Sequence, residues 1–426
     1  MSFETVSVVG LGYIGLPTAA MFASRKKKVV GVDVNRYAVD TINQGKIHIV
    51  EPELDMIVNA AVKEGYLKAV TVPESADAFL IAVPTPFFPC KEGQVPTPDL
   101  SYIEAASKAI APVLKKGDLV ILESTSPVGA TEQMADWLAQ ARPDLTFPHI
   151  HGEGADINIA HCPERVLPGH VVRELVENDR VIGGLTPKCS KRSVDLYKTF
   201  VQGECVVTNA RTAEMAKLTE NSCRDVQIAF ANELSVICDK LDINVWELIE
   251  LANRHPRVNI LQPGPGVGGH CIAVDPWFIV SKTPEEAQII RTAREVNDKK
   301  PNHVLAQIFH EISSLLSIRE NENQDITVAC FGLSFKADID DLRESPALKI
   351  VEQLRRNFAG NLLVVEPNIE QLPGSLIGES TSLVTTKTAL EQSDIAVILV
   401  DHLEFKVNRD AFMKATTLID TRGITK

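Results

Sequence analysis

Cys271 stands in the segment PGPGVGGHCIAVDP, Pro263 to Pro276, with Asp275 four residues after it. Backbone N–H groups and left-handed turns in GPGVGGH can wrap an anionic group closely and hold the thiol at a fixed point instead of deep in an apolar core. The competing reading is a cysteine that merely fills space, the commoner fate of this residue type. A second constellation precedes it. Lys217, Asn221 and Arg224 recur at i, i+4 and i+7 and share one helix face, with Met215, Val226, Phe230 and Ile237 on roughly the other side. An ordinary solvated face, with Glu214 and Glu220 nearby, is the alternative.

Together these groups suit a four-electron oxidation. Taking an alcohol to an aldehyde needs one hydride transfer, but reaching the acid needs a tetrahedral adduct from which a second hydride can leave, and a thiolate supplies it. The expected course is alcohol, aldehyde, thiohemiacetal on Cys271, thioester and hydrolysis to carboxylate, with two hydrides passed to an acceptor. The Lys217 ammonium and Asn221 amide are suited to stabilise charge developing on oxygen. Asp275, or a carboxylate from elsewhere, would orient or deprotonate the hydrolytic water.

Such chemistry needs a hydride acceptor, and VSVVGLGYIGLPTAAMFASRKKKVVGVDVN near the N-terminus predicts its site. An apolar strand, Val6 to Val9, meets Gly10, Gly12 and Gly15; a helix pattern follows, and a second strand ends at Asp33. Gly10 permits the tight turn, Gly12 lets backbone approach a pyrophosphate, and Gly15 lets helix pack on strand. Asp33 would accept ribose hydroxyls and repel a 2'-phosphate, favouring NAD over NADP. Further strands in AFLIAVPTPF and GDLVILESTSPVGATEQMADWL make Thr85 and Thr131 candidate cofactor contacts, or simply turn caps. PTPFFPCKEGQVPTPDLSYI between them reads as a proline-rich surface loop, a candidate lid.

A second half repeats the first. DITVACFGLSFK runs strand into glycine, NLLVVEPN is a strand ending in an acid, and DIAVILVDHLEF parallels AFLIAVPTPF, but GxGxxG is missing. The fold class is therefore α/β: two Rossmann-like doubly wound parallel-sheet domains joined by a long central helical region, Arg211 to His255. The expected boundaries are 1–208, 209–318 and 319–426, with the polar linker IRENENQD, Ile318 to Asp325.

Composition narrows the function classes. With 426 residues and 45% hydrophobic content the chain can bury more than one core, and no apolar run approaches the roughly 20 residues that span a bilayer. The N-terminus enters a strand pattern at once, so a cytoplasmic location is expected. A net charge of −13, with RKKK as the longest basic run, argues against nucleic acid. Eight cysteines without CxxC or paired spacing argue against a disulfide framework or a metal site, and most are expected buried and inert.

The segments GLGYIGLPTAA, PTP, STSPVG, CPERVLPG, AEMAKLTEN, HPRVNILQPGPGVGGHCIAVDP and GLSFKADIDDLRESP resemble the UDP-glucose/GDP-mannose dehydrogenase family over nearly the whole chain. GGHCIAVDP is similar to its UDP-N-acetylhexosamine branch; the histidine and valine there depart from the serine and lysine of UDP-glucose enzymes and leave His270 and Val274 without assigned roles. The resemblance implies an N-terminal NAD domain, a central helix that builds a homodimer and a C-terminal domain binding the UDP part of a sugar nucleotide. UDP-N-acetyl-D-mannosamine is the expected substrate, with UDP-N-acetylglucosamine or UDP-glucose as alternatives. The product would feed surface polysaccharides such as enterobacterial common antigen.

Position by position, the resemblance makes Cys271 the nucleophile, Lys217 its acid/base or oxyanion partner, and Asn221 and Asp275 their helpers. Glu164 is similar to the glutamate of thioester hydrolysis. Tyr13, Ile14, Asp33, Thr85 and Thr131 fall at NAD contacts, and Arg343 resembles an arginine reaching the cofactor from the C-terminal domain. The sugar-nucleotide positions are Arg165, Val166, Lys217, Asn221, Arg224, His255, Arg257, Gly268, Phe335 and Lys336; arginine and lysine suit a pyrophosphate, which wants charge-assisted donors. His255 reads equally as a helix cap and Phe335 as core. Two rivals stand beside this reading. A two-electron dehydrogenase of the hydroxyisobutyrate or phosphogluconate kind would need neither Cys271 nor a second nucleotide fold, and an NAD-sensing module would bind cofactor without turnover.

Overall fold

Apolar β-branched runs of four or five residues recur along both halves, and in the computed structural model they become strands, the central ones of each sheet buried on both faces. The structure describes residues 3–49, 51–89, 93–166, 169–269, 271–318 and 325–426. His270, Cys90 and most of the predicted linker lie outside these residues. The chain forms two compact units, Met1–Glu220 with Trp277–Pro284, and Asn221–Pro276 with Glu285–Lys426. The division falls inside one long helix, Ala210–Leu241.

The first unit holds eight strands: β1 (Thr5–Val9), β2 (Lys28–Val32), β3 (Leu67–Val70), β4 (Ala78–Ile81), β5 (Leu119–Leu122), β6 (Asn158–His161), β7 (Arg180–Gly184) and β8 (Cys205–Asn209). Their order is β3-β2-β1-β4-β5-β6-β7-β8. Every residue of β4 (AFLI) and β5 (LVIL) is buried, as expected of parallel strands with helices on both faces. The parallel sheet reverses at one place: β7 runs antiparallel to β6, pairing Ala160 with Gly184 and His161 with Gly183, and β8 follows β7 in parallel. Apolar periodicity marks a strand but carries no sign of its direction.

The second unit carries β9 (Thr327–Phe331), β10 (Asn361–Val365), β11 (Thr381–Leu383), β12 (Ile395–Ile398) and β13 (Thr417–Asp420) in the order β11-β10-β9-β12-β13, all parallel. One face packs on helices Gln288–Ile318 and Pro346–Asn357 through Val304, Ile308, Ile350 and Leu354; the other closes around Phe331, Phe405 and Phe412.

The long helix differs from expectation on its apolar side. Met215, Phe230 and Ile237 are exposed, while Ser222, Asp225, Asn232 and Ser235 are buried. The reason is a ladder of polar contacts to helix Gln288–Ile318. Arg294 Nη1 donates to Asp225 Oδ1 at 2.5 Å, Asn297 Nδ2 to the same oxygen at 2.8 Å, Asn232 Nδ2 to Asn297 Oδ1 at 2.9 Å, and Lys300 Nζ to Ser235 Oγ at 2.7 Å. Buried polar groups persist where partners satisfy them, and here they claim the inward face. Burial pushes the Asp225 carboxyl up to about 6 against the pull of Arg294, and pushes the Lys300 ammonium down to about 8.

Candidate active site

The glycine turn after β1 has the shape a dinucleotide needs. Gly10 adopts φ +92°, and a methyl carbon there would lie 2.5 Å from the Ala82 carbonyl oxygen; one on Gly15 would lie 1.7 Å from the Gly10 carbonyl oxygen. Both positions are closed to any side chain. A methyl on Gly12 meets nothing within 4 Å, so this is the point where a ligand can come against backbone. Helix Gly15–Ser24 starts at Ile14 with no side-chain cap and no acid in its first turn, so no carboxylate there opposes a phosphate. Asp33 closes β2: its Oδ2 accepts from Leu11 N and its Oδ1 from Asn35 N, both at 2.8 Å. The residues present fit NAD.

Around this turn the other expected contacts divide. Tyr13 is 40% exposed, and Thr85 is half-buried with a hydroxyl that has no partner among the described residues. Thr131 is fully buried and donates its hydroxyl to Glu214 Oε1 at 2.6 Å, so that hydrogen is committed within the protein. Glu214, treated in the sequence as part of a solvated face, accepts from Gly129 N at 2.7 Å and Thr131 N at 2.8 Å and caps helix Ala130–Ala141. Nothing in the sequence pairs residues more than 80 positions apart, which is why this cap was missed. In the proline-rich segment, the Phe87 ring lies 5.1 Å from that of Phe278.

Glu164 follows β6 and is buried. Its Oε2 accepts from Arg180 Nη1 at 3.0 Å and its Oε1 from Arg165 N at 2.7 Å. Arg165 in turn pairs with Glu220 at 2.7 Å, and Val166 packs on the unit's core. Lys217 is half-buried in the same unit and has no ion pair among the described residues.

In the second unit the thiol loop is fixed by its surroundings. Methyl carbons on Gly264, Gly266 and Gly268 would lie 2.5 Å from Arg422 Nη1, 2.9 Å from Pro346 Cβ and 2.6 Å from the Glu344 carbonyl oxygen. Gly269, at φ +80°, lies against the ring of half-buried Phe335. Gly264 N donates to Asn232 Oδ1 at 2.8 Å, which ties the loop to the polar ladder. Cys271 is exposed, and its carbonyl accepts from Val274 N at 3.0 Å and Asp275 N at 2.8 Å, a tight turn that opens helix Asp275–Lys282. Asp275 is buried, and Asn221 Nδ2 donates to its Oδ2 at 2.5 Å. The structure thus brings Asn221 to Asp275, at the end of the turn that begins at Cys271.

The remaining second-unit residues are exposed: Arg224, His255, Arg257, Lys336 and Arg343. His255 Nδ1 accepts from Arg257 N at 3.4 Å, and Arg343 pairs with Asp341 at 2.6 Å. Of the described cysteines, Cys162, Cys189, Cys238 and Cys330 are buried, whereas Cys223 and Cys271 are exposed. No helix is long and apolar enough to cross a membrane among the described residues.

A hydride-acceptor turn, a held thiol and a second nucleotide-type sheet define a nucleotide-dependent dehydrogenase. The chain matches the NAD binding domain of the UDP-glucose/GDP-mannose dehydrogenase family over residues 4–201, its central domain over 211–299 and its UDP binding domain over 329–426, and it belongs to that family. It is 66% identical over 424 residues to the UDP-N-acetyl-D-mannosamine dehydrogenase of Yersinia pestis, covering 100% of both chains. It is 63% identical to the NDP-N-acetyl-D-galactosaminuronic acid dehydrogenase of Ralstonia nicotianae, over 100% of this chain and 97% of that one. The solved UDP-D-ManNAc dehydrogenase of Pyrococcus horikoshii superposes with a TM-score of 0.84 at 40% identity, covering 99% of this chain and 96% of its own. The protein is an NAD-dependent dehydrogenase.

Proposed function

We propose that the chain oxidises UDP-N-acetyl-D-mannosamine at C6 to UDP-N-acetyl-D-mannosaminuronate, with two NAD reduced per sugar. The observation that carries this reading is the Asn221–Asp275 hydrogen bond beside the Cys271 turn, on a loop whose glycines lie against Pro346, Glu344 and Phe335. NAD, when bound, accepts a hydride at each of the two oxidations. Lys217 and Asn221 stabilise charge on the substrate oxygen. The Cys271 thiolate adds to the aldehyde carbon, and the resulting thiohemiacetal gives up the second hydride to leave a thioester. Glu164 takes a proton from the attacking water, the C–S bond breaks and the thiolate returns. The sum is R–CH2OH + H2O + 2 NAD+ to R–COO− + 2 NADH + 3 H+. Tyr13, Ile14, Asp33, Thr85 and Arg343 are proposed for the cofactor; Arg165, Val166, Arg224, His255, Arg257, Gly268, Phe335 and Lys336, with Lys217 and Asn221, for the sugar nucleotide.

The identity to the Yersinia relative supports the mannosamine epimer, and the Ralstonia relative supports a second reading, an N-acetylgalactosamine nucleotide. Exposed Phe230, Ile237 and Leu241 form one stripe on the long helix and support a homodimer built there. A cytoplasmic enzyme supplying a uronic acid for a surface polysaccharide, enterobacterial common antigen among them, completes the proposal. The test is NADH released when limiting UDP-N-acetyl-D-mannosamine is run to completion with excess NAD. Two equivalents per sugar, and loss of acid formation in Cys271→Ala, are expected; one equivalent would make the aldehyde the product and the thiol structural.

A further inference from the structure

We infer that Glu214 is a positioning residue for the first hydride transfer: its carboxylate fastens the long helix to the turn that follows β5 and so fixes where Lys217 stands. The inference rests on the proposed role of Lys217 in stabilising charge on the substrate oxygen.

Glu214 is 1% exposed and lies near the start of helix Ala210–Leu241. Both of its oxygens are occupied by one stretch of chain. Oε2 accepts from Gly129 N at 2.7 Å, and Oε1 accepts from Thr131 N at 2.8 Å and Thr131 Oγ1 at 2.6 Å. This is where the chain coming from β5 begins helix Ala130–Ala141, and Gly129, the flanking residue, has no side chain with which to cap it. A second pair runs the opposite way. Glu132, in the first turn of that helix, accepts from Arg211 Nε at 2.9 Å and from Arg211 Nη2 at 2.6 Å. Each helix thus gives the other a carboxylate.

The two ties differ in strength. The Arg211 and Glu132 side chains are 64% and 38% exposed, and water weakens such a pair. Glu214 works in a buried site, where a donor left unmatched is costly. The fastening therefore belongs to Glu214. Lys217 follows it by three residues, about 4.5 Å along the axis and about 60° around the helix, with no flexible link between anchor and amine backbone. Three residues further on, Glu220 pairs with Arg165 of the stretch after β6 at 2.7 Å. The turn that carries Lys217 is accordingly tied on one side to the chain leaving β5 and on the other to the chain leaving β6. Those strands are parallel neighbours, and the carboxyl ends of such strands are where ligands sit.

The test is the rate of the first NADH formed in a single turnover of the NAD-loaded enzyme with UDP-N-acetyl-D-mannosamine. Glu214→Gln keeps the size of the side chain, but its amide N–H meets the Gly129 N–H, so one tie is lost. Misplacing a reacting group by about 1 Å costs on the order of 100-fold, so loss of one tie should slow the step about tenfold, with the sugar-nucleotide KM and the NAD Kd within about twofold of wild type. An unchanged rate would overturn the inference. The decisive comparison is the double variant Glu214→Gln, Lys217→Ala. If Glu214 acts through Lys217, the double variant is no slower than Lys217→Ala alone; a merely structural role multiplies the two losses, and that result would also overturn the inference. Should Glu214→Gln not fold, Thr131→Val, which removes one donor to Glu214 and keeps the shape, takes its place in the same comparison. Lys217→Ala separates the two claims: a wild-type rate in that variant strikes the role of Lys217 itself, whereas a loss there, multiplied in the double variant, strikes only that of Glu214.

Discussion

The two nucleotide-type sheets begin alike and diverge at two positions. Gly10 after β1 and Gly332 after β9 have φ +92° and +95°, and each turn is tied to an acid at the end of the neighbouring strand. Asp33 accepts from Leu11 N at 2.8 Å and Glu366 from Leu333 N at 2.7 Å. Beyond that hydrogen bond the first turn stays open: Gly12 faces empty space and Asp33 is half-exposed. The second is filled by its own side chains. Ser334 takes the place of Gly12 and is buried, and Glu366 is sealed under His402. Because His402 Nδ1 accepts from Asp338 N at 2.9 Å, its proton sits on Nε2, which donates to Glu366 Oε2 at 3.1 Å. An acid at a strand end is thus a turn anchor first, and a ribose acceptor only where nothing covers it.

The sharpest way to break this comparison is Gly15→Val, which forces a side chain onto the Gly10 carbonyl. It should cost about 3 kcal/mol or more, or yield no folded protein, in denaturant unfolding. Gly12→Val should leave stability nearly unchanged and raise the NAD Kd about 100-fold, roughly 2.7 kcal/mol, in a binding titration. Equal losses of stability in the two variants would mean that the first turn is as filled as the second. Next comes Glu366→Gln, expected to cost about 1–3 kcal/mol by weakening its bonds to Leu333 N, Ser334 N and His402, with the NAD Kd unmoved.

The smallest effect is the acid limb of that same group. Burial alone would raise the Glu366 carboxyl, but the His402 bond and the N–H donors outweigh it and hold it below its ordinary 4.5. A carboxyl depressed in the folded state stabilises fully above the unfolded value and loses that contribution as pH falls through the folded one. Unfolding curves between pH 6 and 3 should therefore slope less in Glu366→Gln than in the wild type.

The first turn was legible because its chemistry is local: strand, glycine spacing and acid lie within one short segment. The turn that joins Cys271 to Asp275 is local in the same way. What escaped was whatever depends on distant partners. Glu214 reads as a surface acid until the helix after β5 is placed beside it, because burial of charge is a tertiary fact. The reversal of β7 left no trace in an apolar pattern. Nor did the sequence disclose that Met215, Phe230 and Ile237 face outward, since small polar residues on the opposite side of the helix form the buried contacts.

Those contacts fix the sliding position of two helices. Apolar side chains tolerate a shift along a helix axis, because one methyl group serves nearly as well as the next. The rungs Asp225–Arg294, Asn232–Asn297 and Ser235–Lys300 do not, for a slip of one residue would misplace every donor at once. Gly264 hangs from the middle rung, so the bonds that lock the helices against shear also set where the thiol loop begins.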